Sequence, residues 1–327
     1  SCLQKIETDP GFSRKNHNFQ LDSNLDCSGV SNFVSINNFY GTLNGQNKLI
    51  SNFKSSGSNS AMFRDNNGII ENLKFTNANI DGNSDSIGWA GIVCVGDDCN
   101  GTYRNIDITN SSITGKHHVG SVASVTRRAS LQNITVSNTS VRCTYYNNTP
   151  GTGYSPCVAG GIVGGLYVGP TGWGGSSISN SSFSGTLRGA SLGGVAGAST
   201  GQINAVTTSA TFTSTNDSAT AADPITRWGG LVGIQVGGNA GDPPGKITNS
   251  NANMIANLNI QVSDINMTYS QISVGGLVGQ NLEASSIPYA IRSTLENSQA
   301  TVDIRLTTNS NPASTLNWSS EFIGGVV

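Results

Sequence analysis

The chain has 327 residues, of which only 11% are charged, and a formal net charge of −2 at pH 7. Such a composition supplies no basic stripe to neutralise phosphates and no polybasic segment for a lipid surface, which excludes nucleic acid and anionic membranes as expected partners. Gly, Ser, Thr and Asn dominate, yet aliphatic residues recur at regular spacing, which suits thin coils with a small apolar interior better than a disordered chain.

In chain order, residues 1–30 are expected to form an N-terminal cap tied by Cys2 and Cys27, and residues 31–327 a repeat array. Ser-Ala-Met-Phe at residues 60–63 stands where the first Gly-rich strand would be. Loose copies of a recurring phrase follow at Trp89-Ala90-Gly91-Ile92-Val93 and Val119-Gly120-Ser121-Val122-Ala123. Close copies are Ala159-Gly160-Gly161-Ile162-Val163-Gly164, Leu192-Gly193-Gly194-Val195-Ala196-Gly197, Trp228-Gly229-Gly230-Leu231-Val232-Gly233 and Val274-Gly275-Gly276-Leu277-Val278-Gly279. The chain stops inside another, Ile323-Gly324-Gly325-Val326-Val327, so further repeats or a second subunit are expected to cover that edge. Aligned on Gly91, Ser121, Gly161, Gly194, Gly230, Gly276 and Gly325, the copies lie 30 to 49 residues apart. Self-similarity at that period indicates stacked supersecondary units, and the surplus residues, as at 144–157 and 235–245, are expected to be side loops where binding occurs.

A second column confirms the register. An aliphatic or aromatic residue and one spacer precede Asn72, Asn105, Asn133, Asn180, Asn249 and Asn297, while Ala205 takes the Asn slot once. Behind the Asn runs alternation such as Leu73/Phe75 then Ala78/Ile80, the signal of strands with one buried face. Each unit therefore reads as a Gly-Gly strand, a turn and two short strands. The Gly pair would permit positive φ or close approach of a neighbouring coil; the Asn column is either a stacked amide ladder or plain turn chemistry. The expected fold is all-β: a right-handed parallel β-helix with a disulfide-linked cap.

Six cysteines fall into three near neighbours, Cys2 with Cys27, Cys94 with Cys99 and Cys143 with Cys157. In an elongated stack only such pairs meet, and the spacings are wrong for zinc ribbons, so three disulfides and an exported, extracellular or cell-surface location are expected. Ser1-Cys2 also admits a lipoprotein reading, although a lipidated Cys is ordinarily the first residue of a mature chain. No apolar run reaches the roughly 18 residues that a membrane span needs, so no span is expected. The nine Asn-x-Ser/Thr sequons are as many as so Asn- and Ser-rich a chain produces by chance.

Catalytic motifs are absent: there is no Gly-x-Ser-x-Gly, HExxH or P-loop. Carboxylate pairs for glycoside hydrolysis could come from Asp97-Asp98, Asp81 with Asp85, or Asp22 with Asp26. Asp81-Gly82-Asn83-Ser84-Asp85 also starts like a calcium loop but has no downstream bidentate Glu. Arg127-Arg128 and His117-His118 lack acidic partners in the repeat register and read as exposed polar residues; adjacent strand residues cannot chelate from one face. Thr207-Thr208-Ser209-Ala210-Thr211-Phe212-Thr213 raises an ice-binding reading, without a Thr column across the repeats. No metal or cofactor is expected.

The Gly230-Leu231-Val232-Gly233 and Gly276-Leu277-Val278-Gly279 cores resemble the bacterial GLUG-motif repeat proteins. The lead-in Phe39-Tyr40-Gly41-Thr42-Leu43-Asn44-Gly45-Gln46-Asn47 is similar to a turn of many parallel β-helices, with Gln46 where Gly or Asn is common. The resemblance implies a non-catalytic extracellular structural or adhesive surface protein of the kind that forms or decorates a filament or appendage. Its partners would be copies of itself, other surface proteins or glycans. Arrays of this kind also occur in secreted proteases outside the catalytic part. The alternative is a secreted carbohydrate-active enzyme, a polysaccharide lyase or glycoside hydrolase, with its acid pair on the solenoid flank.

Overall fold

The computed structural model describes Leu3 and residues 16–83, 88–144, 157–168, 175–214, 226–236, 245–262, 272–282, 294–310 and 322–324. Every element in this set is a strand, and the strands form one fifteen-stranded sheet and two eight-stranded sheets. All strand pairs are parallel and follow chain order from rung to rung, so the chain is a parallel β-helix. One coil illustrates the path. Val158–Gly160 lies in the first short sheet, Val163–Leu166 in the second and Ser177–Arg188 in the long sheet, after which Ser191–Gly193 begins the next coil.

The Gly-rich phrase is thus not a strand, as its pattern suggests, but the corner between two strands. Gly120, Gly160, Gly193, Gly229, Gly275 and Gly324 pair rung to rung at the end of the first short sheet. Gly161, Gly194, Gly230 and Gly276 follow them in the turn. Pairing of Ala90 with Val119 sets Gly91 opposite Gly120, one place earlier than sequence alignment puts it; Ile92 takes the slot of Ser121. Gly325 lies outside the described residues. The last Gly of the phrase serves a different contact. A Cβ on Gly197 would stand 2.5 Å from a Val158 methyl and 2.7 Å from the Ala159 amide nitrogen, so the two short sheets approach at backbone distance. None of the described phrase glycines has positive φ, so close approach is what selects Gly here.

Positive φ belongs instead to the Asn column. Asn72, Asn105, Asn133, Asn180, Asn249 and Asn297 all have φ between 46° and 54°, and Ala205 has φ 55°. Asn tolerates this left-handed bend because its short amide bonds locally. Here the amides also bond upward: Asn72 Nδ2 donates to Asn44 Oδ1 (3.1 Å), Asn105 to Asn72 (2.8 Å) and Asn133 to Asn105 (3.0 Å). Where Ala205 interrupts the column, Asn249 Nδ2 donates to Asn204 Oδ1 (3.0 Å). The bend takes the following amide out of the sheet ladder, and serine repairs it. Ile134 N donates to Ser181 Oγ, Val206 N to Ser250 Oγ and Ser250 N to Ser298 Oγ, each at 3.1 Å. Those hydroxyls donate in turn to carbonyls two residues back. The backbone amide is thereby satisfied at these three corners.

Ala205 pays for the left-handed bend with a Cβ and no compensating amide. Ala205→Gly is expected to raise stability by about 0.5–1 kcal/mol, read as a higher denaturation midpoint; Asn133→Ala, which creates the same defect and breaks the ladder, should lower it by a similar amount.

Inside the coil, Leu73, Phe75, Ala78 and Ile80 are all buried, as are their counterparts Ile106, Ile108 and Ile113 one rung on. Two aromatic stacks fill the N-terminal coils. Phe19, Phe39 and Phe63 have centroid separations of 6.2 and 4.7 Å, and Phe33, Phe53 and Phe75 of 5.0 and 6.2 Å. In the region read as a cap, Asn18–Gln20 and Leu25–Asp26 pair with Thr42–Ser51 and form the first rung of the long sheet.

Disulfides join Cys94 to Cys99 and Cys143 to Cys157. Cys27 is disulfide-bonded as well, while Cys2 lies outside the described residues. Formed disulfides point to a non-cytoplasmic, oxidising compartment. No helix among the described residues is long and apolar enough to cross a membrane.

Candidate functional site

Three places gather polar chemistry, and the first sits where the second short sheet turns into the long sheet. Asp65 lies on Phe63–Asn66, while Asp97, Asp98 and Asn100 follow Cys94–Val95 on the next coil, and Arg127 follows Ala123–Thr126 on the one after. Arg127 Nη2 binds Asp97 Oδ1 at 2.9 Å, the Arg127 amide donates to Asn100 Oδ1 (3.1 Å), and Asn100 Nδ2 donates to Asp98 Oδ1 (3.1 Å). The Asp98 amide donates to Asp65, whose carboxylate also stands 3.7 Å from Arg64 Nε. Gly96, with φ +125°, arches over Asp65 so closely that a Cβ would strike its Oδ1.

Burial raises the Asp65 carboxyl above its ordinary range; the Arg64 charge and the Asp98 amide oppose this, and the Asp98 and Asp97 charges reinforce it. Two carboxyls in unequal environments are what acid–base chemistry requires. Here, however, Asp97 is engaged by Arg127 and only 24% of the Asp65 side chain is exposed. The network's visible task is to fix the Cys94–Cys99 loop. Contrary to the expectation from the repeat register, Arg127 has an acidic partner, Asp97 of the preceding coil. Asp97 and Asp98 lie in the loop that the Cys94–Cys99 disulfide closes.

The second place is a stack of Trp89, His118 and Tyr167 from three successive coils. The rings meet edge-on with centroids 6.1 and 6.2 Å apart, and His118 Nε2 lies 3.3 Å from the Tyr167 hydroxyl. Burial, aided by the charges of His117 and Arg127, lowers His118 to about 4, and burial pushes Tyr167 up to about 12. His117 is buried and His118 largely so, against the expectation of exposed residues. Because His118 is depressed in the folded chain, protons bind the unfolded chain preferentially below pH 6.5. Stability should therefore fall as pH drops from about 6.5 to about 4, by on the order of 2 kcal/mol given the ring's residual exposure. Denaturant midpoints across that range should be flatter in His118→Phe.

The third place is a cleft of about 300 Å³ on the long sheet, lined by Asn110, Ser111, Ser112, Asn138, Thr139, Ser140, Gly185 and Thr186. None of these carries charge.

This chain is similar to solved structures that include the following. A putative immunoglobulin A1 protease from Bacteroides ovatus matches with TM-score 0.51 and 21% identity, over 94% of this chain and 76% of that one. A structure described as an IgA1 protease matches with TM-score 0.56 and 14% identity, over 97% of this chain but only 24% of that one. At these identities the likeness shows the fold alone. No protein-family model matches, and no curated protein does.

The remaining sequence candidates do not assemble a site. Asp81 Oδ1 accepts the Asn83 amide (3.0 Å), a turn, and Asp85 lies outside the described residues. Asp26 accepts hydrogen bonds from Asn52 (2.9 Å) and from Ser28, which hold its carboxyl below the usual range. Asp22 is exposed in the bend between Asn18–Gln20 and Leu25–Asp26. No group of three or more His, Cys, Asp or Glu able to hold a metal ion occurs among the described residues. The cleft was not visible in the sequence, because it depends on a register change between two rungs.

Proposed function

We propose that this chain is a non-catalytic β-helical module of an exported bacterial protein, a rigid uncharged spacer whose side loops carry the binding. The observation that supports it best is where the polar groups go. The Asn column, the corner serines and the Asp97–Arg127 pair bond to neighbouring coils, so the chemistry that could act on a substrate is used in stacking. The Gly-Leu-Val-Gly phrases add the resemblance to GLUG arrays, found in adhesins and in secreted proteases outside the catalytic part. Likeness to a protein called an IgA1 protease, of which the chain spans about a quarter, fits an accessory module of a larger exported protein. Small-angle scattering of the purified chain should give a rod-like profile, and incubation with polysaccharides should release no reducing ends. Turnover of any polysaccharide would reject the non-catalytic reading.

One observation favours a second reading, that of a carbohydrate-active enzyme: Asp65 and Asp97 come from neighbouring coils and meet beside Arg127. On that reading Asp65→Asn abolishes turnover while leaving the melting temperature within a few degrees.

A further inference from the structure

The cleft on the long sheet has a definite origin. Asn52, Asn77, Asn110 and Asn138 form a second left-handed column, with φ of 57°, 53°, 50° and 47°, which bends the long-sheet strands of the early coils. Asn138 Nδ2 donates to Asn110 Oδ1 at 2.6 Å, so this column too builds an amide ladder. It ends abruptly. Between Ser130–Cys143 and Ser177–Arg188 the register shifts: Val136 pairs with Phe183 and Thr139 with Gly185, so Ser137 and Asn138 face Ser184 alone. From there the strands run straight through Gln202–Thr213 and Asn251–Val262.

A bent rung against a straight one leaves a notch. Gly185 lines the notch where the two rungs come together again, so closely that a Cβ there would run into the Thr139 carbonyl oxygen. Asn138 is exposed and lines the notch, and the straight rung that follows sets no Asn opposite it to continue the ladder. Exposed Ser112, Ser140 and Thr186 add hydroxyls that can donate and accept.

We infer that this notch binds a neutral saccharide. The inference deepens the spacer reading above by naming a ligand class for one of its faces. A charged ligand would find no counter-charge in the lining, and an apolar one would strand hydroxyls and amides without partners. Sugar hydroxyls, each both donor and acceptor, match a wall of serine, threonine and asparagine groups. A volume of about 300 Å³ stands at the lower end of ligand sites, so the fit is to one or two sugar rings.

The test is saturation-transfer difference NMR on the whole chain with cellobiose, maltose and N,N′-diacetylchitobiose. At least one should bind with a millimolar Kd, and Ser140→Trp and Thr186→Trp, which fill the notch from exposed positions, should each weaken binding at least tenfold with unchanged circular dichroism. Binding by none of the three, or binding that survives both substitutions, would overturn the inference. Should one variant misfold, the other decides. Binding without turnover leaves the spacer reading in place, and a failure to bind leaves the rod shape and lack of turnover to be judged separately.

Discussion

Gly230→Val is expected to lower stability by about 3 kcal/mol, while Gly29→Val changes it by less than about 0.5 kcal/mol. Gly230 does not have positive φ, so backbone strain is not the cause. A Cβ there would stand 2.5 Å from the Ala252 Cβ and run into the Gly276 carbonyl oxygen. Valine adds two further methyls to that space. The coils would have to part at a point where the Gly230 amide donates to Gly276 O (3.1 Å) and its carbonyl accepts Thr208 Oγ1 (2.7 Å). Overpacking costs about 1–3 kcal/mol, and each weakened hydrogen bond adds about 1. Around Gly29 nothing lies within 4 Å of the added carbon. Equal shifts of the denaturation midpoint in the two variants would remove the close-approach account of the phrase.

Side-chain periodicity is written directly in the chain, so the buried sets Leu73/Phe75 and Ile106/Ile108 are legible, and so is the recurrence that makes a solenoid. What Gly does is not. The same Gly-Gly spelling serves a strand end, a turn and a sheet-to-sheet contact, and only the pairing of Ala90 with Val119 assigns Gly91 to the first of these. Asn was ambiguous between ladder and turn because it is both, bending at φ near 50° and donating upward from the same residue.

The polar clusters were harder to read. Arg127 and Asp97 are 30 residues apart, and a loop residue has no place in a register counted from strand cores. His117 and His118 look solvated in a polar stretch; what buries His118 is Trp89 and Tyr167 from the coils on either side, a neighbour relation set by stacking height. The cleft depends on a single missing residue opposite Ser137 and Asn138, which no motif records.

The Cys143–Cys157 and Cys94–Cys99 disulfides should part company when removed. In the chain-entropy account a bridge stabilises by restricting the unfolded chain, more for longer loops. Cys143–Cys157 spans 14 residues and Cys94–Cys99 spans 5, so replacing both cysteines by serine should cost about 3 kcal/mol at the first and about 2 at the second. The smaller loss carries the larger local consequence. The 94–99 loop places Gly96 against the Asp65 carboxylate and the Asp98 amide upon it. Opened, it admits water to Asp65. Burial is the largest cause of that carboxyl's upward displacement, outweighing the downward pull of the Asp98 amide, so its pKa should fall toward the ordinary carboxylate range in Cys94→Ser/Cys99→Ser and stay raised in Cys143→Ser/Cys157→Ser. Carbon-detected NMR titration of Asp65 in both variants, alongside denaturant midpoints, checks the pair of outcomes. An unchanged Asp65 titration after opening the short loop would mean that Phe63–Asn66 and the coil beneath bury the carboxylate without help from the loop.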